Sequence, residues 1–161
     1  MVREKKPANR RFAEVAGIAL LLPLILPLLL IALMLYWLHR LLLYVLIWCI
    51  WLPRGKDALV VYSDSPIWRD YMMQQVVPLL EERAVVLNWS ERSQWPRWSF
   101  ATHVFRSFGG NRDFNPMVVL FRPLRRAKFF RFWSAFKEWK HGKTFEVDWL
   151  QRELNLYINK R

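Results

Sequence analysis

The chain has 161 residues, with 25 Lys and Arg against 13 Asp and Glu and a single cysteine. That length allows one small domain beside a membrane segment, and the lone Cys49 excludes a disulfide framework, a CxxC pair and a thiolate metal site. Six cations against two anions before residue 54, and nineteen against eleven after it, make both parts basic and attractive to the phosphates of lipid or nucleic acid.

From Val15 to Leu52 the only charge-capable residues are His39 and Arg40. This apolar run exceeds the ~20 residues one helix needs to cross a bilayer, and its length argues against a cleaved signal peptide. It is expected to be a permanent integral anchor over 15–53, preceded by a basic flank at 1–14. Arg3, Lys5, Lys6, Arg10 and Arg11 on one side and Arg54 and Lys56 on the other favour a hairpin with both ends in the cytoplasm. Its turn would be Tyr36 to Arg40, "YWLHR". A second possibility bends at Pro23 and Pro27. A third is one crossing followed by a helix in the interface, with the soluble domain outside.

Residues 54–161 form the soluble domain. "ALVVYS", Ala58 to Ser63, is a β-branched run expected to be a buried strand. Between Pro66 and Arg83, the apolar residues Trp68, Tyr71, Met72, Val76, Leu79 and Leu80 share one helical face, and Pro78 should kink that helix. "AVVLNW", Ala84 to Trp89, is a second strand, so the three elements make a parallel βαβ unit. Trp95, Trp98, Thr102, Phe105 and Phe108 mark a second helix that stops at Gly109 and Gly110. Met117 to Arg122 is a third strand. Lys128 to Trp133 is read as a fourth, antiparallel to it. A helix over Lys128 to Lys140 fits the spacing of Phe129, Phe132, Trp133 and Phe136 as well. A final helix after Thr144 carries Phe145, Trp149, Leu150, Leu154 and Tyr157.

Strand, helix, strand, helix, strand, strand, helix resembles the thioredoxin-like fold, an α/β architecture βαβαββα. "LVVYSDSPIWRDYMMQQVVPLL" looks like its first strand, active-site turn and kinked helix. Pro66 lies near the turn's proline and Pro78 resembles the kinking one. "NPMVVLF" resembles the segment before the third strand, where the resemblance implies a cis-proline and points to Pro116. Redox chemistry there needs a thiolate at the helix start, and Ser63, Asp64 and Ser65 stand in its place. The resemblance therefore implies a non-redox member whose turn, Tyr62, Ser63, Asp64, Ser65 and Pro66 with Pro116, binds a peptide or small ligand. Tyr62, Ser63 and Ser65 could instead activate a bound thiol, as in glutathione transferases. The structural alternative is a helix start, with Ser65 as N-cap, Pro66 at the first position and Asp64 facing the helix dipole.

The basic-aromatic stretch "FRPLRRAKFFRFW" offers Arg122, Arg125, Arg126, Lys128 and Arg131 to an anionic surface. Membrane attachment makes lipid headgroups the nearer anion than nucleic acid. The alternative is a strand hairpin with core aromatics and a solvated turn. No glycine-rich phosphate loop and no histidine pair spaced for a metal are present, so no cofactor or metal is expected. The function expected from these features is an interaction or scaffold module at the membrane, with an unidentified protein partner.

Overall fold

The structure, a computed structural model, describes the backbone of residues 8–109 and 116–160 and the side chains from Leu22 onward. The first seven residues of the basic flank and Gly110 lie outside the described residues. The chain divides into two units, Met1–Leu42 and Leu43–Arg161.

The first unit is helical from Ala8, the start of α1, which continues unbroken to Ile50 in the second unit. Pro23 and Pro27 lie inside this helix. The turn expected at Tyr36 to Arg40 is not formed. Those five residues contain neither Gly nor Pro, and the leucine-rich flanks are strong helix formers. Arg40 instead donates to Tyr36 Oη one turn back, at 2.9 Å. From Leu22 to Leu42 nearly all the large apolar side chains are exposed, and this helix is long and apolar enough to cross a membrane.

The second unit begins with the last turns of α1 and a short 3₁₀ turn, Leu52–Arg54. Gly55 closes that turn in the left-handed region (φ +71°), donating its N–H to Leu52 O, a conformation a side chain would strain. The chain then enters a four-stranded mixed sheet made of β1 (Ala58–Tyr62), β2 (Ala84–Asn88), β3 (Met117–Leu120) and β4 (Lys128–Arg131), in the spatial order β2-β1-β3-β4. β1 pairs β2 in parallel, and the β1–β3 and β3–β4 pairs are antiparallel.

Between β1 and β2 one helical rod runs through α2 (Trp68–Tyr71), a π-helical turn (Met72–Val76) and α3 (Val77–Leu80). Pro78 has no N–H to continue the ladder, and the turn just before it widens: Val77 N–H reaches Met72 O, five residues back. The expected distortion at Pro78 thus takes the form of a π turn. The remaining helices are α4 (Phe100–Phe108), α5 (Trp133–Trp139) and α6 (Phe145–Asn159). Residues 128–140 split between the two readings of their sequence, with strand as far as Arg131 and helix from Trp133. The change of period leaves Phe130, Phe132 and Phe136 all buried.

Because side chains alternate along a strand, each sheet face collects its own core. Ala58, Val60, Val118, Leu120 and Phe130 meet Met72, Val76 and Leu80 of the rod, Phe132, Phe136 of α5, and Val147, Leu154 and Ile158 of α6. Leu59, Val61, Met117 and Val119 meet Val104, Phe105 and Phe108 of α4 and Leu43, Ile47 and Trp51. The last third of the apolar run, assigned from sequence to the anchor, therefore helps to form this second core. Full burial of each such side chain contributes about 1.5–3 kcal/mol.

Two helices differ from their sequence reading. Ser99 is extended and its hydroxyl accepts from Thr102 N–H, so α4 starts at Phe100 and leaves Trp98 outside it, 97 % exposed. In α6 the aliphatic stripe Val147, Leu154 and Ile158 is buried, whereas Phe145 and Trp149 are exposed. The two stripes share part of the helix circumference, and packing selects the aliphatic one.

Candidate functional site

Parallel pairing of β1 with β2 brings their C-terminal ends together, and Tyr62 lies beside Asn88. On its other side β3 begins opposite Val61, so Pro116, one residue earlier, stands across from Tyr62. Pro116 is buried and its carbonyl accepts from Phe132 N–H at 3.0 Å, linking this corner to α5. The ends of parallel strands are where open α/β sheets commonly place ligands. The structure brings Tyr62, Ser63 to Pro66 and Pro116 to that one end.

Asp64 organises the turn. Its N–H donates to Ser90 Oγ at 2.9 Å, Ser90 N–H donates to Asn88 Oδ1 at 3.1 Å, and Asn88 Nδ2 donates back to the Asp64 carboxylate at 3.0 and 3.1 Å. This ring of hydrogen bonds ties the loop after β1 to the loop after β2. Asn88 Nδ2 also reaches Glu91 Oε1 at 2.9 Å, and Arg69 Nε stands 3.6 Å from Asp64 Oδ1. Asn88, Ser90 and Glu91 are not assigned to this turn from sequence, because only the β1–β2 register makes them neighbours of residue 64.

Ser65 does not have the side-chain capping role expected of it. The helix begins at Trp68 after Ile67, with no side-chain cap, while the Ser65 carbonyl accepts from Arg69 N–H at 2.9 Å. Pro66 and Ile67 are exposed beside it. Trp68 packs on Phe136 (ring centroids 4.3 Å apart) and leans on Trp133 (6.5 Å), which is itself 42 % exposed. A polar turn thus adjoins an apolar rim formed by Ile67 and Trp133.

A phenol also lies nearby in the helical rod. Burial, reinforced by the Asp148 carboxylate, pushes the Tyr71 hydroxyl up to about 12, and it donates to Gln151 Oε1 at 2.9 Å. The raised value keeps this phenol protonated beyond the ordinary tyrosine range.

The five basic residues of the 121–133 stretch do not form one surface. Arg122 is taken up by the end of α6, its guanidinium 4.0 Å over the Tyr157 ring and hydrogen-bonded to the Tyr157 carbonyl. Lys128 and Arg131 lie over Phe130 and Phe129, on opposite faces of β4 and at its two ends. Arg125 and Arg126 are exposed in the β3–β4 turn. Strand alternation, not apparent in a count of charges, separates them.

Among the described residues no group of three or more His, Cys, Asp or Glu could hold a metal ion. No family model, no curated protein and no solved structure matches the chain.

Proposed function

We propose that this is a membrane-anchored, non-redox module of thioredoxin-like fold that holds a peptide segment of a partner protein on the face around Tyr62 to Pro66. The observation that supports this most is the convergence of Tyr62, the Asp64–Asn88–Ser90 ring and Pro116 at one end of the sheet, bordered by exposed Ile67 and Trp133. Polar groups fixed in place beside an apolar rim suit an extended peptide, whose backbone needs hydrogen bonds and whose side chains need apolar contact. The thioredoxin-like assignment draws on the element order and on the parallel β1–β2 and antiparallel β3–β4 pairs.

Anchoring by α1 is supported by its exposed apolar stretch from Leu22 to Leu42. A continuous helix puts its two flanks on opposite sides of a bilayer. The five Lys and Arg among residues 1–14 outnumber Arg40, Arg54 and Lys56, so the charge rule keeps the N-terminal flank in the cytoplasm and carries the domain across.

The test is site-specific photo-crosslinking of the full chain in its membrane, with the probe at Ile67 and a control probe at exposed Arg152. A discrete protein adduct is expected from position 67 only, and Asn88→Ala should reduce it by loosening the ring. Equal adducts from both positions would sink the reading. So would transfer of a thiol to an electrophile that Ser65→Ala abolishes without unfolding, since that outcome identifies a transferase.

A further inference from the structure

The turn between β3 and β4, "RPLRRA" from Arg122 to Ala127, contains the residue with the least explanation inside the fold. Leu124 has φ +57° and is 89 % exposed. The left-handed region is usually left to Gly, Asn or Asp, so a leucine there is strained. Its side chain is also left in water. Both costs fall on one residue, and strain of this kind concentrates where a surface engages something else.

The neighbours of Leu124 indicate what that is. Arg125 and Arg126 are exposed next to it, while Arg122 is turned away onto Tyr157. The base of the turn is fixed, with Arg125 N–H donating to Arg122 O at 3.2 Å and Ala127 N–H donating to Tyr44 Oη at 3.0 Å. Tyr44 belongs to the last turns of α1, which lie in the second unit. The base of the turn is thus held by Tyr44 inside the second unit.

We infer that this turn dips into the headgroup layer of the bilayer that α1 spans, with Leu124 in the upper acyl region and Arg125 and Arg126 on anionic lipid phosphates. The inference rests on the reading of α1 as a membrane span. An apolar tip followed directly by two cations is the composition of an interfacial anchor, and leaving water offsets the strain at Leu124. Single-stranded nucleic acid would need open aromatic faces for stacking, whereas Phe129 and Phe130 are already overlain by Arg131 and Lys128.

The full chain with Cys49→Ser tests this when it carries an environment-sensitive fluorophore on a cysteine introduced at Leu124 or, separately, at Leu30. Each labelled protein is reconstituted in phosphatidylcholine vesicles with and without phosphatidylglycerol, and quenching by doxyl-labelled lipid is read. The Leu30 label should be quenched in both vesicles, and the Leu124 label only where phosphatidylglycerol is present. Arg125→Glu with Arg126→Glu should shift the docked-to-undocked ratio by on the order of 30-fold or more and abolish quenching at Leu124. A quenched Leu30 label beside an unquenched Leu124 label overturns the docking and leaves the span intact. An unquenched Leu30 label removes both. A Leu124 label that responds to a single-stranded oligonucleotide over neutral vesicles, and not to phosphatidylglycerol, overturns the docking in favour of a nucleic-acid contact.

Discussion

On one face of the sheet lie the rod after β1, α5 and α6, each with a wet side; on the other lie α4, wet at His103 and Arg106, and the last turns of α1, whose outward residues are apolar. Arg69, Asp70 and Gln74 of the rod and Arg152 of α6 are exposed, while Met72, Val76 and Leu154 are buried. In α1, Leu43 and Ile47 are buried but Val45 and Cys49, facing away, are exposed. An amphipathic pattern reports a helix between core and water. A helix that covers a core with one side and keeps apolar residues on the other leaves no such pattern, so nothing in its residues marks where the anchor stops and the domain starts.

The largest effect expected from this asymmetry is on domain boundaries. Residues 54–161 expressed alone lose Leu43, Ile47 and Trp51, which share one buried core with Leu59, Val61 and Phe121. Removing one large buried side chain costs about 2–5 kcal/mol, and three such losses consume most of the roughly 5–15 kcal/mol that holds a domain together. That fragment should show no near-ultraviolet circular dichroism and no cooperative denaturant transition, whereas a fragment starting at residue 43 should show both. Cooperative unfolding of 54–161 would break the comparison.

Next in size are matched core truncations. Phe136 and Phe105 are fully buried, one in each layer, and Phe136→Ala and Phe105→Ala should each cost ~3–5 kcal/mol. Both should lower the midpoint of the same denaturant transition. If Phe105→Ala instead produced a separate early transition, the α1 and α4 layer would be an independently melting unit, and the contrast between the layers would extend from composition to cooperativity.

Much of this arrangement was legible in the chain. β-branched runs marked β1, β2 and β3, the helix between β1 and β2 implied their parallel pairing, and Pro78 announced a local distortion. What escaped the sequence depended on contacts between distant residues. Asn88 and Ser90 join Asp64 only because β1 and β2 pair in register. Phe145 and Trp149 fit a buried stripe as well as Val147 and Leu154 do, until the neighbouring helix chooses between them. Tyr36 to Arg40 read as a turn because its composition suits an interface, yet interface composition does not bend a backbone that lacks Gly and Pro. Arg122, Lys128 and Arg131 looked like one basic surface, and strand alternation and ring contacts divided them.

The smallest effect separates the layers through their tyrosines. In the layer of the rod, α5 and α6, burial and the Asp148 carboxylate raise the Tyr71 hydroxyl from 10.0 to about 12. Below the ordinary tyrosine range both the native and unfolded chains keep this proton, and stability does not depend on it. As pH rises past 10.0 the unfolded chain ionises there first, so the native state holds more protons and stability falls, levelling off above about 12, where both forms are ionised. Tyr44, in the other layer, is instead fixed by accepting from Ala127 N–H. The drop in denaturant midpoint between about pH 9 and about pH 11 should therefore shrink in Tyr71→Phe relative to the parent chain. Asp148→Asn should diminish it partly, because burial is the larger cause and remains in that variant. A parent chain and a Tyr71→Phe variant with identical pH dependence would mean that this phenol titrates as it does in water, and that the rod is wetter at Tyr71 than its packing against Phe136 and Trp139 implies.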